Sequence, residues 1–405
     1  MADQIVGSGE EAPRGSVVEV FSAFLKLGLT SFGGPIAHLG YFRDELVVRR
    51  RWLDDSAYAD LVGLCQFLPG PTSSQVGFSL GLMRAGWLGA LAAFLAFTLP
   101  SALILLVFAL SAPAIGGPMG SGALHGLKIV AVAIVAQAVW GMARNLCPDK
   151  QRSAIALVAV ALLAFAPGGT AMLAAIVLGA AAGLALGLGE TKPVGGHVAV
   201  PVSRWTAGGA ILVFLSLLVL LPLLAGEAQV LAVIDRFYRA GALVFGGGHV
   251  VLPLLDAEVV RNGWVTHDAF LAGYGAAQAV PGPLFTFAAY LGAVLQPEPN
   301  GIAGAGLALL AIFLPGFLVI VGILPFWDLF RTKPVAQSLM RGANAAVVGI
   351  LGAALYSPVF TSAIADPRDF ALALASFVAL MVWKAPPWLV VALSAAGGGG
   401  LRLLG

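Results

Sequence analysis

Polar positions are sparse along this chain, and the apolar stretches between them are long. Leu88–Phe108, Ile155–Phe165, Ala207–Ala225 and Gly304–Ile323 have the length or the apolarity of membrane helices, the shorter ones reading as half-spans. One apolar region is interrupted at Cys65-Gln66-Phe67-Leu68-Pro69-Gly70-Pro71-Thr72-Ser73-Ser74. Pro69 and Pro71 lack N–H groups and disfavour helical geometry in the residue before them, and Gly70 adds backbone freedom. One helix is therefore predicted to stop near Leu68 and another to start near Pro71, opening with free N–H groups and the hydroxyls of Thr72, Ser73 and Ser74. The same device returns as Ala277-Gln278-Ala279-Val280-Pro281-Gly282-Pro283. In a bilayer such a break is tolerated only where protein buries it or where it lines a polar cavity.

Around these breaks the pattern predicts an apolar helix over Val17–Phe32 that ends at Gly33-Gly34-Pro35, then an amphipathic, basic arm over Ile36–Arg51. Short helices follow over Ser56–Leu68 and Pro71–Met83. Leu88–Leu110 and Gly122–Ala143 are crossings, and Ser153–Leu188 is a hairpin broken at Pro167-Gly168-Gly169. Gly7–Gly15, Gly116–Gly122 and Gly397–Gly400 read as loops or tails.

The order then repeats. Phe24, Lys26, Gly28, Phe32, Gly33 and Gly34 match Phe237, Arg239, Gly241, Phe245, Gly246 and Gly247 at one constant offset, and Glu45 matches Glu258. After a one-residue slip Trp52 matches Trp264, and Gln66, Pro69, Gly70 and Pro71 match Gln278, Pro281, Gly282 and Pro283. His125-Gly126 meets Arg341-Gly342, and Lys128 meets Asn344. The expected organisation is a polar tail over 1–16, one repeat over 17–189, a linker with an unpaired apolar helix over 190–229, and a second repeat over 230–405.

Composition settles the class. Of 405 residues 59% are hydrophobic and 10% charged, with a mean hydropathy of +0.94. A soluble domain carries about 25% charged residues, so the fold class is an all-α polytopic membrane protein. An even number of crossings per repeat plus one extra helix would invert the second half. Loop charges agree, because cytoplasmic loops collect Lys and Arg. Arg43, Arg49, Arg50 and Arg51 face only Arg261 in the equivalent loop, and Arg144, Lys150 and Arg152 face only Arg368. The bias reverses for Arg331, Lys333 and Arg341. The halves thus read as inverted repeats, with the N-terminus cytoplasmic and the C-terminus outside. The polar segment Met1–Ser16 does not have the basic-then-apolar order of a cleavable signal. A net charge of +2 gives no reason to expect nucleic acid. Cys65 and Cys147 have no metal-ligand spacing, no stretch resembles a P-loop, and no constellation argues for catalysis. Neither cofactor, metal nor enzymatic role is expected.

Several of these stretches together resemble one family. Ser31-Phe32-Gly33-Gly34-Pro35-Ile36-Ala37-His38, the Arg-rich stretch ending in Trp52, and Leu68-Pro69-Gly70-Pro71 are similar to the chromate ion transporter family. So are Phe245-Gly246-Gly247-Gly248, Val280-Pro281-Gly282-Pro283, and Arg341-Gly342-Ala343-Asn344-Ala345-Ala346-Val347-Val348-Gly349. The resemblance runs over nearly the whole chain in the family's order. It implies the long, two-domain type, sited in the plasma (inner) membrane. The implied activity is export of chromate driven by the proton-motive force, with sulfate as a competing shape. A channel, or a carrier of sulfate or another oxyanion, is the alternative; a second copy of the chain and the lipid bilayer are the candidate partners.

The residues suit a tetrahedral dianion. A helix N-terminus offers free N–H donors and about half a positive charge. Pro69, Gly70, Pro71, Thr72 and Ser73, with Pro281, Gly282 and Pro283, would place two such termini around one anion. Gly33 and Gly34, with Gly246, Gly247 and Gly248, would let backbone approach it. Gln66 and Gln278 could donate amide hydrogens. Lys26 and Arg239 share one repeat position and either face the cavity or snorkel to an interface. Lys128 and Asn344 form a second matched pair. Glu45 and Glu258, matched across the repeats, are candidates for proton coupling or for salt bridges; Asp60 and His249 complete the proton-coupling candidates.

Overall fold

The computed structural model describes residues 15–166, 168–189, 202–327 and 333–404. Most of the N-terminal tail and of the linker, together with Arg331 and Pro167, lies outside the described residues. Every regular element among those described is helical. Helix α1 (Val17–Thr30) is followed by α2 (Gly34–Phe42), which runs on as a π-helical stretch over Arg43–Arg49. Then come α3 (Asp55–Phe67), α4 (Thr72–Ser111), α5 (Gly117–Leu146), α6 (Lys150–Phe165) and α7 (Gly169–Ala185). Helix α8 (Arg204–Leu224) stands alone.

The sequence of shapes then returns. Helix α9 (Gln229–Ala242) leads to α10 (Val251–Leu255) with its own π-helical stretch Asp256–Val260. Next are α11 (His267–Ala277), α12 (Phe287–Ala293), α13 (Gly301–Ile323), α14 (Pro334–Ala354), α15 (Pro367–Met381) and α16 (Pro387–Leu404). Within α4 the backbone leaves helical geometry at Ala85 and Gly86 and the chain turns back, for a Cβ on Gly81 would sit 2.8 Å from Ala93 Cβ. Helix α4 is thus two helices packed as a hairpin, as the separate α12 and α13 are around Gly292 and Gly304.

Short polar residues start these helices. Ser16, Asp54, Asp149, Ser203, Thr266 and Asp366 each accept a hydrogen bond from a backbone N–H of the first turn. Among the described residues five helical stretches are long and apolar enough to cross a membrane: Thr72–Ser111, Gly117–Leu146, Arg204–Leu224, Gly301–Phe326 and Pro334–Ala363. Only 11% of the most apolar window of α8 is covered by protein, so this helix presents most of its surface outward. It is held on one side by α9, where Tyr238 donates its hydroxyl to the Phe214 carbonyl at 3.0 Å.

Two of the glycine-rich stretches expected as loops are helical. Gly117–Gly122 opens α5, and Gly397–Gly400 lies inside α16. These helices cross with backbones almost touching: a Cβ placed on Gly398 would sit 2.7 Å from Gly126 Cα. The other repeat builds the same crossing, for a Cβ on Gly183 of α7 would sit 2.8 Å from Gly342 Cα of α14. Gly126 and Gly342 hold the same repeat position. Without side chains at the crossing, dispersion between backbones can stabilise association where lipid removes the hydrophobic drive. Each repeat therefore lends its last helices to the other's central helix, and the contacts are related by a pseudo-two-fold axis.

Candidate functional site

The four chain breaks sit where the two repeats meet. Helix α1 stops when the Ser31 N–H bonds to the Leu27 carbonyl, and the chain turns through Gly33 and Gly34, at φ +99° and +80°. Helix α9 ends at Ala242, with Gly246 and Gly247 at +74° and +139°. Between α3 and α4 Gly70 is at +120°, and between α11 and α12 Gly282 is at +99°. These are left-handed conformations that favour glycine.

The breaks bind one another across the axis. The Gly70 N–H donates to the Val244 carbonyl at 2.8 Å, and the Gly282 N–H donates to the Ser31 carbonyl at 2.9 Å. Val244 and Ser31 hold the same repeat position, so this is one contact made twice. Pro35 and Gly248 are also equivalent, and they touch each other: a Cβ on Gly248 would lie 3.2 Å from Pro35 Cγ. The axis thus passes between the two glycine turns. His249 Nε2 is 3.7 Å from where a Gly34 Cβ would be.

Neutral polar groups gather around this junction. Ser73 Oγ and His38 Nδ1 are 3.3 Å apart, both buried. Gln75 donates its amide to the carbonyls of Pro69 and Gly316, each at 2.9 Å, and so fixes the first loop. His249 Nδ1 is 2.9 Å from the Tyr274 hydroxyl. Ser31 Oγ, His38 Nε2, Ser74 Oγ, Gln278 Nε2 and Asn344 Oδ1 are buried atoms with no protein partner. A buried polar atom without a partner costs about 1–3 kcal/mol, so a cluster of them suits a place that receives a polar guest. Thr72, Ser73 and Ser74 form the first turn of α4, where N–H groups lack intrahelical acceptors. Hydroxyl, amide and N–H donors without a facing carboxylate can hold an oxyanion.

The expected site residues divide on this geometry. Gly33, Gly34, Pro69, Gly70, Pro71, Thr72, Ser73, Gly246, Gly247, Gly248, Pro281, Gly282 and Pro283 all lie on the four breaks. Gly70 and Gly282, however, already spend their N–H groups on the opposite repeat. Gln278 is half-buried, whereas Gln66 is on the exposed face of α3. Asn344 of α14 comes to the Gly246 turn, its Oδ1 3.5 Å from a Cβ placed there.

The three basic candidates each hold a carboxylate. Lys26 Nζ is 2.6 Å from Glu45, which also binds Arg49 and Arg50 at 3.0 and 2.8 Å. Arg239 pairs with Asp235 and approaches Glu258 at 3.6 Å. Lys128 pairs with Asp268 at 2.8 Å, beside a cavity of about 480 Å³. The matched acids Glu45 and Glu258 therefore bind the matched cations Lys26 and Arg239. Asp60 is buried on α3. His38, Ser31 and Gln75 were not expected at the site. His38 follows the Gly-Gly-Pro turn by three positions, and a lone polar residue so close to a break was the available signal.

Comparison with known proteins agrees with this architecture. The family model described as "Chromate transporter" matches residues 18–184 and again 231–399. The chain is 30% identical to the chromate transport protein of Pseudomonas aeruginosa, over 95% of this chain and 92% of that one. It is 27% identical to the chromate transport protein of Cupriavidus metallidurans, over 93% and 91%. It is 29% identical to the probable chromate transport protein of Synechococcus elongatus, over 85% and 84%. No solved structure matches. With two matches that divide at α8 as the helices do, the chain belongs to the chromate transporter family.

Proposed function

We propose that the protein is a secondary transporter that exports chromate from the cytoplasm, driven by the proton-motive force, and that it binds the dianion between the paired breaks. The observation that carries this reading is the exchanged bonding of the breaks, Gly70 to Val244 and Gly282 to Ser31. Two equivalent irregular segments that seal each other at one axis give a site reachable from either side when one repeat rocks against the other. Buried donors without partners supply the binding chemistry. The loop charges support repeats 17–189 and 230–405 of opposite orientation, joined by 190–229, with the N-terminus cytoplasmic and the C-terminus outside. No redox step on chromium is assigned, and chromate leaves as chromate.

The test is labelled chromate flux in proteoliposomes under an imposed pH gradient, with sulfate as competitor. The expected result is saturable accumulation against the chromate gradient, abolished by a protonophore and inhibited by sulfate, with chromium(VI) recovered. Non-saturating flux that follows voltage alone would make the protein a channel. Sulfate accumulation without chromate accumulation would move the substrate.

A further inference from the structure

One pair of positions is treated differently by the two repeats. In the first, Arg43 Nε is 2.7 Å from Asp55 Oδ1, and both side chains are at least half exposed. The equivalent positions in the second hold Asp256 and His267, so the charges are exchanged and the permanent guanidinium is replaced by an imidazole. His267 Nδ1 is 3.6 Å from Asp256 Oδ1, and Arg261 Nε is 3.7 Å from Oδ2. The Asp256 side chain is 2% exposed, and its Oδ1 makes no hydrogen bond. Asp256 and Arg261 border a cavity of about 460 Å³. Among the described residues the charged or titratable groups around the carboxylate are few. Arg261 comes from its own turn, His267 from the start of α11, and Tyr356 from the segment after α14, while α6, α7 and α14 offer the cavity only apolar surface. Glu258, two positions on, is turned to Arg236 and Arg239.

We propose that Asp256 and His267 form the proton-binding pair of this carrier, and that Arg43 and Asp55 are its non-titrating counterpart. This rests on the proton-driven reading above. With the repeats inverted, the first pair lies on the cytoplasmic face and the second on the outer face, from which protons enter. A buried carboxylate that no cation hydrogen-bonds takes a proton more readily than a bonded one, because burial disfavours its charged form, and the half-exposed His267 stands at its side. A proton from outside water adds to Asp256 Oδ1, the oxygen without a hydrogen bond, and cancels the negative charge that faces His267 and Arg261. The attraction between the turn at Asp256 and the start of α11 weakens, and that end of the second repeat is released. The proton leaves to the cytoplasm when the pair is re-exposed there. Arg43 cannot lose its charge in this range, so the equivalent contact holds at every working pH.

The test separates proton coupling from transport itself. Chromate–chromate exchange at equal pH and accumulation under an imposed pH gradient are measured on the same proteoliposomes. Asp256→Asn is expected to retain exchange and to lose gradient-driven accumulation by about tenfold or more, the size of an ordinary coupling free energy. His267→Gln, at a half-exposed position, makes the test without touching the buried acid and should flatten the pH dependence of accumulation. Wild-type accumulation in either variant overturns the proposal, and so does equal loss of exchange and accumulation in both, which makes the pair structural. If the unmodified protein exchanges chromate but accumulates none under a pH gradient, the proton-driven reading itself has failed.

Discussion

Alanine at Gly70 and at Gly282 should both damage the protein, but only one of them should be repairable. Each residue has a left-handed φ that costs a side chain about 1–3 kcal/mol. At Gly70 the new Cβ would also stand 2.9 Å from Gly316 Cα and 3.0 Å from Gln75 Nε2. Backbone of α13 cannot rotate away, so the overlap adds about 1–3 kcal/mol, the usual cost of overpacking. Together this is roughly 2–6 kcal/mol, a large part of the total stability of an ordinary domain. At Gly282 the first neighbours are Ser101 Oγ at 2.8 Å and Ser101 Cβ at 3.3 Å, with Phe97 O at 3.2 Å. Ser101 is the repeat equivalent of Gly316, so Ser101→Gly makes the second site resemble the first. Gly282→Ala with Ser101→Gly should recover part of the lost stability and chromate binding, even though glycine in a helix costs about 1 kcal/mol. Thermal unfolding and chromate binding in detergent would read both. Unchanged behaviour of Gly70→Ala, or a double variant no better than Gly282→Ala, would refute the reasoning.

Other outcomes follow from the ion pairs and the topology. Lys26→Gln should be mild, because Glu45 keeps Arg49 and Arg50, while Arg239→Gln strands Asp235 and should cost about 3 kcal/mol by thermal unfolding. Burial raises the Glu45 carboxyl, but hydrogen bonds from Lys26, Arg50 and Arg49 outweigh it and hold the group at about 2. Its contribution should be complete above the ordinary carboxylate range and fade as pH falls toward that value, in an acid-unfolding titration compared with Glu45→Gln. With Cys65 and Cys147 removed, a cysteine at Arg50 should be labelled only from the cytoplasm and one at Asn262 only from outside; labelling from one side would exclude inversion.

The repeat was legible because Phe, Gly, Pro and Trp recur in register, and these residues resist replacement where packing or backbone angle is demanding. The breaks were legible for the same reason, since proline and glycine act locally. The partners of the breaks were not. Nothing near Gly70 in sequence announces that Val244 takes its N–H, or that Ser31 takes that of Gly282. Gly116–Gly122 and Gly397–Gly400 read as loops in the sequence because glycine runs signal turns locally, and the close helix crossing that they serve instead is a tertiary contact. The π-helical stretches at Arg43–Arg49 and Asp256–Val260 leave the apolar spacing almost unchanged. Lys26 and Arg239 drew attention as intramembrane cations, and the acids that hold them were already visible as the matched pair Glu45 and Glu258.

The most direct measurement is the position of chromium itself. Chromate-soaked crystals recorded at the chromium absorption edge should show one anomalous peak at the pseudo-two-fold axis. It should lie among Ser73, Ser74, the Gly33-Gly34 turn and Gln278, and be displaced by sulfate. A peak confined to the Lys128–Asp268 cavity, or none at the paired breaks under saturating chromate, would contradict a site built from the broken helices.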